Sequence, residues 1–158
     1  MNLNKKLPLR SGVGIILLNS ENKILVGKRI DNPKYFWQMP QGGVDDDEDF
    51  FEAAKRELKE ETSVKSVKLI KEINDFLIYE LPENLLGKVL YGKYRGQKQK
   101  CFIMKFTGQD NEINVDTENP EFLDWKWIKI IDLPSIAVDF KVDLYKRLKK
   151  ELNFLKYN

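Results

Sequence analysis

GGVDDDEDFFEAAKRELKEETSV, residues 42–64, opens on two glycines, crosses a run of acids and then takes on a helical period. Phe51, Ala54 and Leu58 recur at the spacing of one helix face, and acids crowd the first turn, so a helix is predicted over about residues 48–62. Within it Glu57, Glu60 and Glu61 stand at i, i+3 and i+4 and project from one face as near neighbours. Like charges at that spacing destabilise a helix by a few tenths of a kcal/mol per pair, so a sequence shaped by helix stability alone would interleave lysines. The crowding becomes favourable when divalent cations sit among the carboxylates. Ala54 and Leu58 would bury the opposite face and hold the acids on a rigid element.

Two plainer explanations compete. Lys-Arg-Glu-Leu-Lys-Glu-Glu is also the composition of many exposed helices, and Glu52 with Arg56 makes an ordinary i,i+4 pair. Asp45-x-Asp47-x-Asp49 imitates the start of a calcium-binding loop. That loop then needs glycine at position 50 and glutamate at 56, where this chain has Phe50 and Arg56, so the calcium loop is excluded.

Composition narrows the chemistry. The chain has 158 residues and 42% hydrophobic residues, enough for one domain with a real core. It contains no histidine, which excludes Ser-His-Asp and Cys-His catalysis and histidine-bound zinc. Cys101 is the only cysteine, so no internal disulfide and no thiolate-rich zinc site can form. Metal chemistry must then rest on carboxylates, which select hard cations. Nine acids against three bases give residues 45–61 a charge of −6, and with an overall charge of +2 the remainder carries +8. An acidic island in a basic protein suits a metal-assisted site for a polyanion, although a solvated helix start gives the same count. No apolar run approaches the ~20 residues of a membrane span. Pro8 and Ser11-Gly12 interrupt the basic start, which argues against a signal peptide and makes the cytoplasm the expected compartment.

Outward from the helix, strands are predicted at residues 13–18 and 23–29, joined by the turn Asn19-Ser20-Glu21-Asn22. Pro33, Pro40 and Gly42-Gly43 mark the loop that follows. Further strands are expected at 67–73, 76–81, 98–106 and 123–128, with a glycine-rich stretch between the second and third of these. On the 98–106 strand Lys98, Lys100, Phe102, Met104 and Phe106 share a face. An amphipathic helix is expected over about 140–155, and Trp37, Trp125 and Trp127 read as core packing. Strands mixed with two separated helices indicate an α/β (α+β) layered domain, one domain across residues 1–158.

Gly42, then Glu48 after five residues, Arg56 after seven more, and the run Arg56-Glu57-Leu58-Lys59-Glu60-Glu61-Thr62-Ser63-Val64 resemble the Nudix box, G-x5-E-x7-R-E-U-x-E-E-x-G-U with U a bulky aliphatic. The one departure is Ser63, where the box has a glycine that ends the helix at positive φ, so the local cap is in question. The resemblance extends along the chain. Arg10-Ser11-Gly12-Val13-Gly14, Trp37 to Gly43, Gly96-Gln97-Lys98-Gln99-Lys100 and Asn119-Pro120-Glu121-Phe122 with Trp125-x-Trp127 look like the bacterial RNA pyrophosphohydrolase branch, whose relatives split diadenosine tetraphosphate.

That resemblance implies the Nudix fold, a mixed β-sheet between α-helices, and a metal-dependent hydrolase acting on phosphoanhydride bonds. It implies Mg²⁺, or Mn²⁺, as two or three ions held by Glu57, Glu60 and Glu61, with Glu121 and the Gly42 carbonyl as further ligands. Glu61 or Glu57 is the carboxylate nearest the proton transfer, while Glu48 and Arg56 brace the loop and helix. The substrate implied is a triphosphorylated RNA 5′ end, whose trimming initiates mRNA decay, or a dinucleoside polyphosphate, or both. A binding module that kept the fold and lost turnover is the remote alternative, against which the three intact glutamates count. Arg10, Arg29, Lys98, Lys100 and Lys141 are candidates for the polyphosphate, and Phe140 and Val138, with Arg10, for a surface that stacks on the terminal base, with Tyr79 lining the same cleft.

Overall fold

The structure, a computed structural model, describes residues 7–31 and 36–155. The basic residues ahead of Leu7, and Pro33, lie outside them. The sheet is built on β1 (Leu9–Leu18) and β7 (Gly96–Phe106), which run parallel with Leu9 opposite Gly96 and Leu18 opposite Lys105. β5 (Val67–Glu72) and β6 (Leu77–Glu80) pair antiparallel with the two ends of β7. On the other side β2 (Ile24–Arg29) pairs antiparallel with β8 (Phe122–Ile128) and with the two-residue β3 (Trp37–Gln38). The expected hairpin between the first two strands is thin: β1 and β2 register only at Leu18 and Ile24. β4 (Gln41–Gly43) lies antiparallel on Gly12, Val13 and Gly14 of β1.

A central strand paired on both sides and covered on both faces should be apolar throughout. β1 is buried without a break from Gly12 to Leu18. Val13, Ile15 and Leu17, with Phe102 and Met104 of β7, pack against Ala54 and Leu58 of α1 (Phe50–Thr62). Ile16 and Leu18, with Cys101 and Ile103, pack against Leu144, Tyr145 and Leu148 of α2 (Val142–Glu151). The sheet is thus sandwiched between helices, as the sequence implied.

Both ends of α1 are capped by local chemistry. Asp49 stays extended at φ −64°, ψ 138°, and its carboxylate accepts the Glu52 backbone N–H at 3.0 Å, so the helix begins after it. At the other end Ser63 adopts the left-handed φ of 68° that the box normally gives to glycine. Its N–H donates to Lys59 O at 2.9 Å, and its hydroxyl donates to Asn114 O at 2.8 Å. That tertiary bond helps hold a conformation that disfavours a side chain. α2 is shorter than expected because residues Asp139–Lys141 form a 3₁₀ turn ahead of it. The three tryptophans pack against the two cores but stay half-buried: Trp125 and Trp127 meet edge to face at 6.2 Å, and Lys126 lies over Trp37.

Candidate active site

The loop-to-helix segment is organised by one guanidinium. Arg56 Nε and Nη2 donate to the two carboxylate oxygens of Glu48 at 2.8 and 2.9 Å, and Nη2 also donates to Gly43 O at 3.0 Å. Its Nη1 donates to Glu57 Oε1 at 3.0 Å and reaches Glu60 at 3.3 Å. The bidentate bond from Arg56 and the Asp45 N–H pull the Glu48 carboxyl down to about 2. Glu48 and Arg56 therefore tie the acidic loop to the helix. The pair expected between Glu52 and Arg56 does not form, because Glu48 captures Arg56 and Glu52 turns to Lys55 at 2.9 Å.

β4 brings the backbone against the helix acids. A Cβ placed on Gly42 would lie 2.0 Å from Glu57 Cδ, so only glycine lets that carboxylate rest on the strand. Glu57 is half-sequestered, and burial lifts its carboxyl above the usual range despite Arg56. Glu61 goes further. It is 6% exposed, its Oε2 has no hydrogen-bond partner, and burial followed by repulsion from Glu57 and Glu121 raises its carboxyl well above the ordinary value. Glu60 stays mainly in solvent.

These groups line one cleft of about 370 Å³: Glu57, Glu60 and Glu61 from α1, Gly42 and Gly43 from β4, and Glu121 from the loop before β8, whose carbonyl is held by the Ile30 N–H. Arg10 and Arg29 stand at its rim. Among the described residues no three acids already close on a single point. Arg56 takes the cationic place between Glu57 and Glu60, while Glu61 makes no ion pair among the described residues and feels only the charge of Arg29 across the cleft. An orphaned buried carboxylate oxygen, a second desolvated acid beside it and an all-oxygen donor set fit a hard divalent cation.

A larger cavity of about 740 Å³ adjoins the cleft and shares Arg29, Gln38, Gln41, Leu90 and Tyr91 with it. Its wall carries Val138, Phe140 and Tyr79, the two rings 5.8 Å apart and tilted by 38°. Lys141 lies 4.9 Å over the Tyr79 ring, is 4% exposed and donates to Gln38 Oε1 at 3.0 Å; burial and the nearby Arg29 lower its amine to about 7. Arg29 is held by Asp31 at 2.6 Å.

Lys98 and Lys100 are not brought to either cavity. They project from the α1 side of β7 over the Phe76 ring, at 4.6 and 5.3 Å, and Lys100 also donates to Asn74 O. The intervening Gln97 and Gln99, overlooked in the sequence, face the other way and are buried. Gln99 donates to Gln41 Oε1 and Gln97 Oε1, both at 2.8 Å, and Gln97 lines the carboxylate cleft. The signal was the alternation itself: in a strand buried on both faces, the amides are easier to place inside than the lysines.

A NUDIX domain model matches residues 8–148. The chain belongs to the Nudix family. An RNA pyrophosphohydrolase of Pelagibacter ubique is 60% identical over 146 residues, covering 92% of each chain. That of Bradyrhizobium diazoefficiens is 45% identical over 160 residues, covering 94% of this chain and 95% of its own. Among solved structures, an Ap4A hydrolase of C. elegans superposes with a TM-score of 0.67 at 22% identity, covering 93% of this chain and all of its own. The dihydroneopterin triphosphate pyrophosphohydrolase of E. coli gives 0.70 at 18% identity, covering 91% and 99%. These structures share the fold. The Nudix chain described here is a pyrophosphohydrolase, and enzymes of this family generally work with divalent metal ions. No helix among the described residues is long and apolar enough to cross a membrane.

Proposed function

We propose that this Nudix hydrolase removes pyrophosphate from the 5′-triphosphate end of RNA, with Mg²⁺ or Mn²⁺ in the cleft bounded by Glu57, Glu60, Glu61 and Glu121. The observation that carries the reading is the direct opening of the carboxylate cleft into the aromatic cavity, five residues being common to both. A phosphate chain can lie in the first while its nucleoside lies in the second. The 60% identical relative named as an RNA pyrophosphohydrolase supports an RNA substrate.

Bound divalent cations supply an activated water and offset charge on the leaving phosphate. The protein's share is positional. Glu57, Glu60, Glu61, Glu121 and the Gly42 backbone hold the ions, and Arg56 and Glu48 keep α1 and its loop in register. Glu61 is the proton acceptor at Oε2, because Glu57 Oε1 already receives a bond from Arg56. Arg10 and Arg29 face the phosphates, Phe140 with Val138 and Tyr79 receives the first base, and Lys141, which the sequence placed at the polyphosphate, lies instead in the wall of the base cavity. Lys98 and Lys100, turned to the opposite face, have no part at the phosphates. Water adds to phosphorus, the anhydride bond between the α and β phosphates breaks, and pyrophosphate leaves a 5′-monophosphate end.

The fold shared with an Ap4A hydrolase gives the alternative, asymmetric cleavage of diadenosine tetraphosphate to ATP and AMP. Competition between 5′-triphosphate RNA and diadenosine tetraphosphate at saturating Mg²⁺ decides between them. RNA should hold the higher kcat/KM, and a clear preference for the dinucleotide would reverse the assignment.

A further inference from the structure

The loop from β7 to β8 carries Glu121 to the carboxylate cleft, and on the way it is stitched to the end of α1. The first stitch is Glu112, whose carboxylate accepts the Lys65 and Ser66 N–H groups at 2.7 and 2.9 Å and the Ser66 hydroxyl at 2.7 Å. The second is Asn114. Its N–H donates to Thr62 O at 2.9 Å, and its carbonyl accepts the Ser63 hydroxyl at 2.8 Å. Between the stitches Ile113 is buried in the same apolar cluster as Ala54, Leu58 and Val64. The far end of this strap is pinned at Glu121, whose carbonyl accepts the Ile30 N–H at 3.0 Å just past β2.

Ser63 is the costly member of this clamp. It holds φ at 68°, a conformation that glycine adopts freely and a residue with a Cβ does not. Capping the helix does not require its side chain, because the bond to Lys59 O comes from the backbone N–H. Glycine would shed the strain and lose one exposed hydrogen bond, two effects of similar size, so stability alone gives no reason for serine. The hydroxyl has a geometric consequence instead. Thr62 and Ser63 directly follow Glu61, so Asn114 and Glu121, the two ends of the strap, set how far Glu121 stands from Glu61. Both carboxylates belong to one cleft, and they repel each other across it. A strap held to α1 at Asn114 by the Thr62 bond alone could pivot there; the Ser63 bond fixes its direction.

We propose that Ser63 is a positioning residue whose hydroxyl, through Asn114, fixes the spacing of Glu61 and Glu121 across the carboxylate cleft. The inference rests on the proposed placing of a divalent ion among these acids and adds the device that sets their separation. An ion gains from both carboxylates only if they are held at the distance its oxygen shell requires, and holding them there in advance leaves less to be ordered on binding.

Mn²⁺ binding to the metal-free protein, read from the electron-spin-resonance signal of the free ion, tests this with Ser63→Gly, Ser63→Ala and Glu121→Gln beside the wild type. Each protein is also melted in EDTA. Ser63→Gly should melt close to wild type yet raise the Mn²⁺ dissociation constant about fivefold, the change that one ordinary hydrogen bond corresponds to. Ser63→Ala, which keeps the strain and loses the bond, should weaken Mn²⁺ by a similar factor and melt lower. Hydrogen exchange of the backbone amides over residues 114–121 should quicken in both. Ser63→Gly binding Mn²⁺ as tightly as wild type would make the hydroxyl a dispensable part of the cap and overturn the proposal. A Ser63→Gly protein that melts well below wild type would overturn it too, since weaker metal binding would then follow from instability. Glu121→Gln separates this inference from the one beneath it. If that variant binds Mn²⁺ as wild type does, the ion is not held at Glu121 and the metal assignment falls together with the clamp; if it alone weakens binding, only the role of Ser63 falls.

Discussion

Replacing Glu61 by glutamine should make the metal-free protein more stable and the enzyme inactive. In the structure this carboxyl is 6% exposed, its Oε2 is unpartnered, and Glu57 and Glu121 repel it. A buried charged group left unsatisfied costs about 1–3 kcal/mol or more. An amide of the same shape removes the charge and can donate to the neighbouring carboxylates. At about 2–4 °C per kcal/mol for a chain of this size, Glu61→Gln should melt roughly 2–12 °C above wild type in EDTA at neutral pH. The pH dependence has a definite sign. Because the folded chain holds the Glu61 proton above the ordinary glutamate range, it binds more protons than the unfolded chain through that window. This residue's contribution to stability therefore falls as pH rises from the usual value through the raised one, and glutamine abolishes that fall. Mg²⁺ at a hundred times its dissociation constant would add about 2.7 kcal/mol to the wild type. The variant should lose most of that gain, and its kcat should drop at least about hundredfold. Calorimetric melts at pH 5, 7 and 8, with EDTA and with Mg²⁺, read all of this. A variant that melts at or below wild type in EDTA, or gains as much from Mg²⁺, would refute the reasoning.

Gly42→Ala should damage the site without unfolding the sheet. Its Cβ would lie 2.0 Å from Glu57 Cδ, so the acid must leave β4, and we expect kcat to fall at least about tenfold with the helical circular dichroism retained. Activity near wild type would show that Glu57 does not need that seat. Lys141 titrates with the opposite sign to Glu61. Its folded amine titrates near 7 and the unfolded one near 10.5, so the unfolded chain binds more protons between them and this residue's contribution rises with pH across that window. Lys141→Met should abolish the rise in metal-free melts between pH 7 and 10, and a variant with an unchanged slope would contradict the burial argument.

The parts of this molecule that were legible in the sequence are those governed by local periodicity. The α1 face of Glu57, Glu60 and Glu61 and the alternation of β7 each follow from a period of 3.6 or 2, and both are present. Even Ser63, the one departure from the box, keeps the left-handed cap. What stayed hidden depends on contacts between distant segments. β3 and β4 are strands of two and three residues flanking Met39 and Pro40, and they exist because β2 and the glycines of β1 accept them. Spacing alone pairs Arg56 with Glu52; its bond to Glu48, which the acidic loop delivers, was implied only by the family resemblance. Lys98 and Lys100 were attractive for their charge, yet charge does not say which face of a doubly covered strand meets the cleft. The amides between them did, because a buried side chain on a two-faced strand must belong to one core or the other.

The distribution of charge around α1 also explains why the site cannot work on side chains alone. Arg56 touches Asp45, Glu48, Glu57 and Glu60, so a single cation is shared among four carboxylates of the acidic island. Glu61 makes no ion pair among the described residues: the charge of Arg29 favours its ionised form less than burial and repulsion from Glu57 and Glu121 oppose it. A polyphosphate approaching this wall meets fixed negative charge, and Arg10 and Arg29 at the rim attract it only as far as the entrance. On the proposed reading, cation and substrate bind with mutual dependence: the ion cancels the charge that excludes the phosphate, and the phosphate supplies oxygens that the three helix acids do not. Linkage then requires each to tighten the other by the same factor. The clustering of acids on α1, unfavourable for an isolated helix, is the source of that coupling.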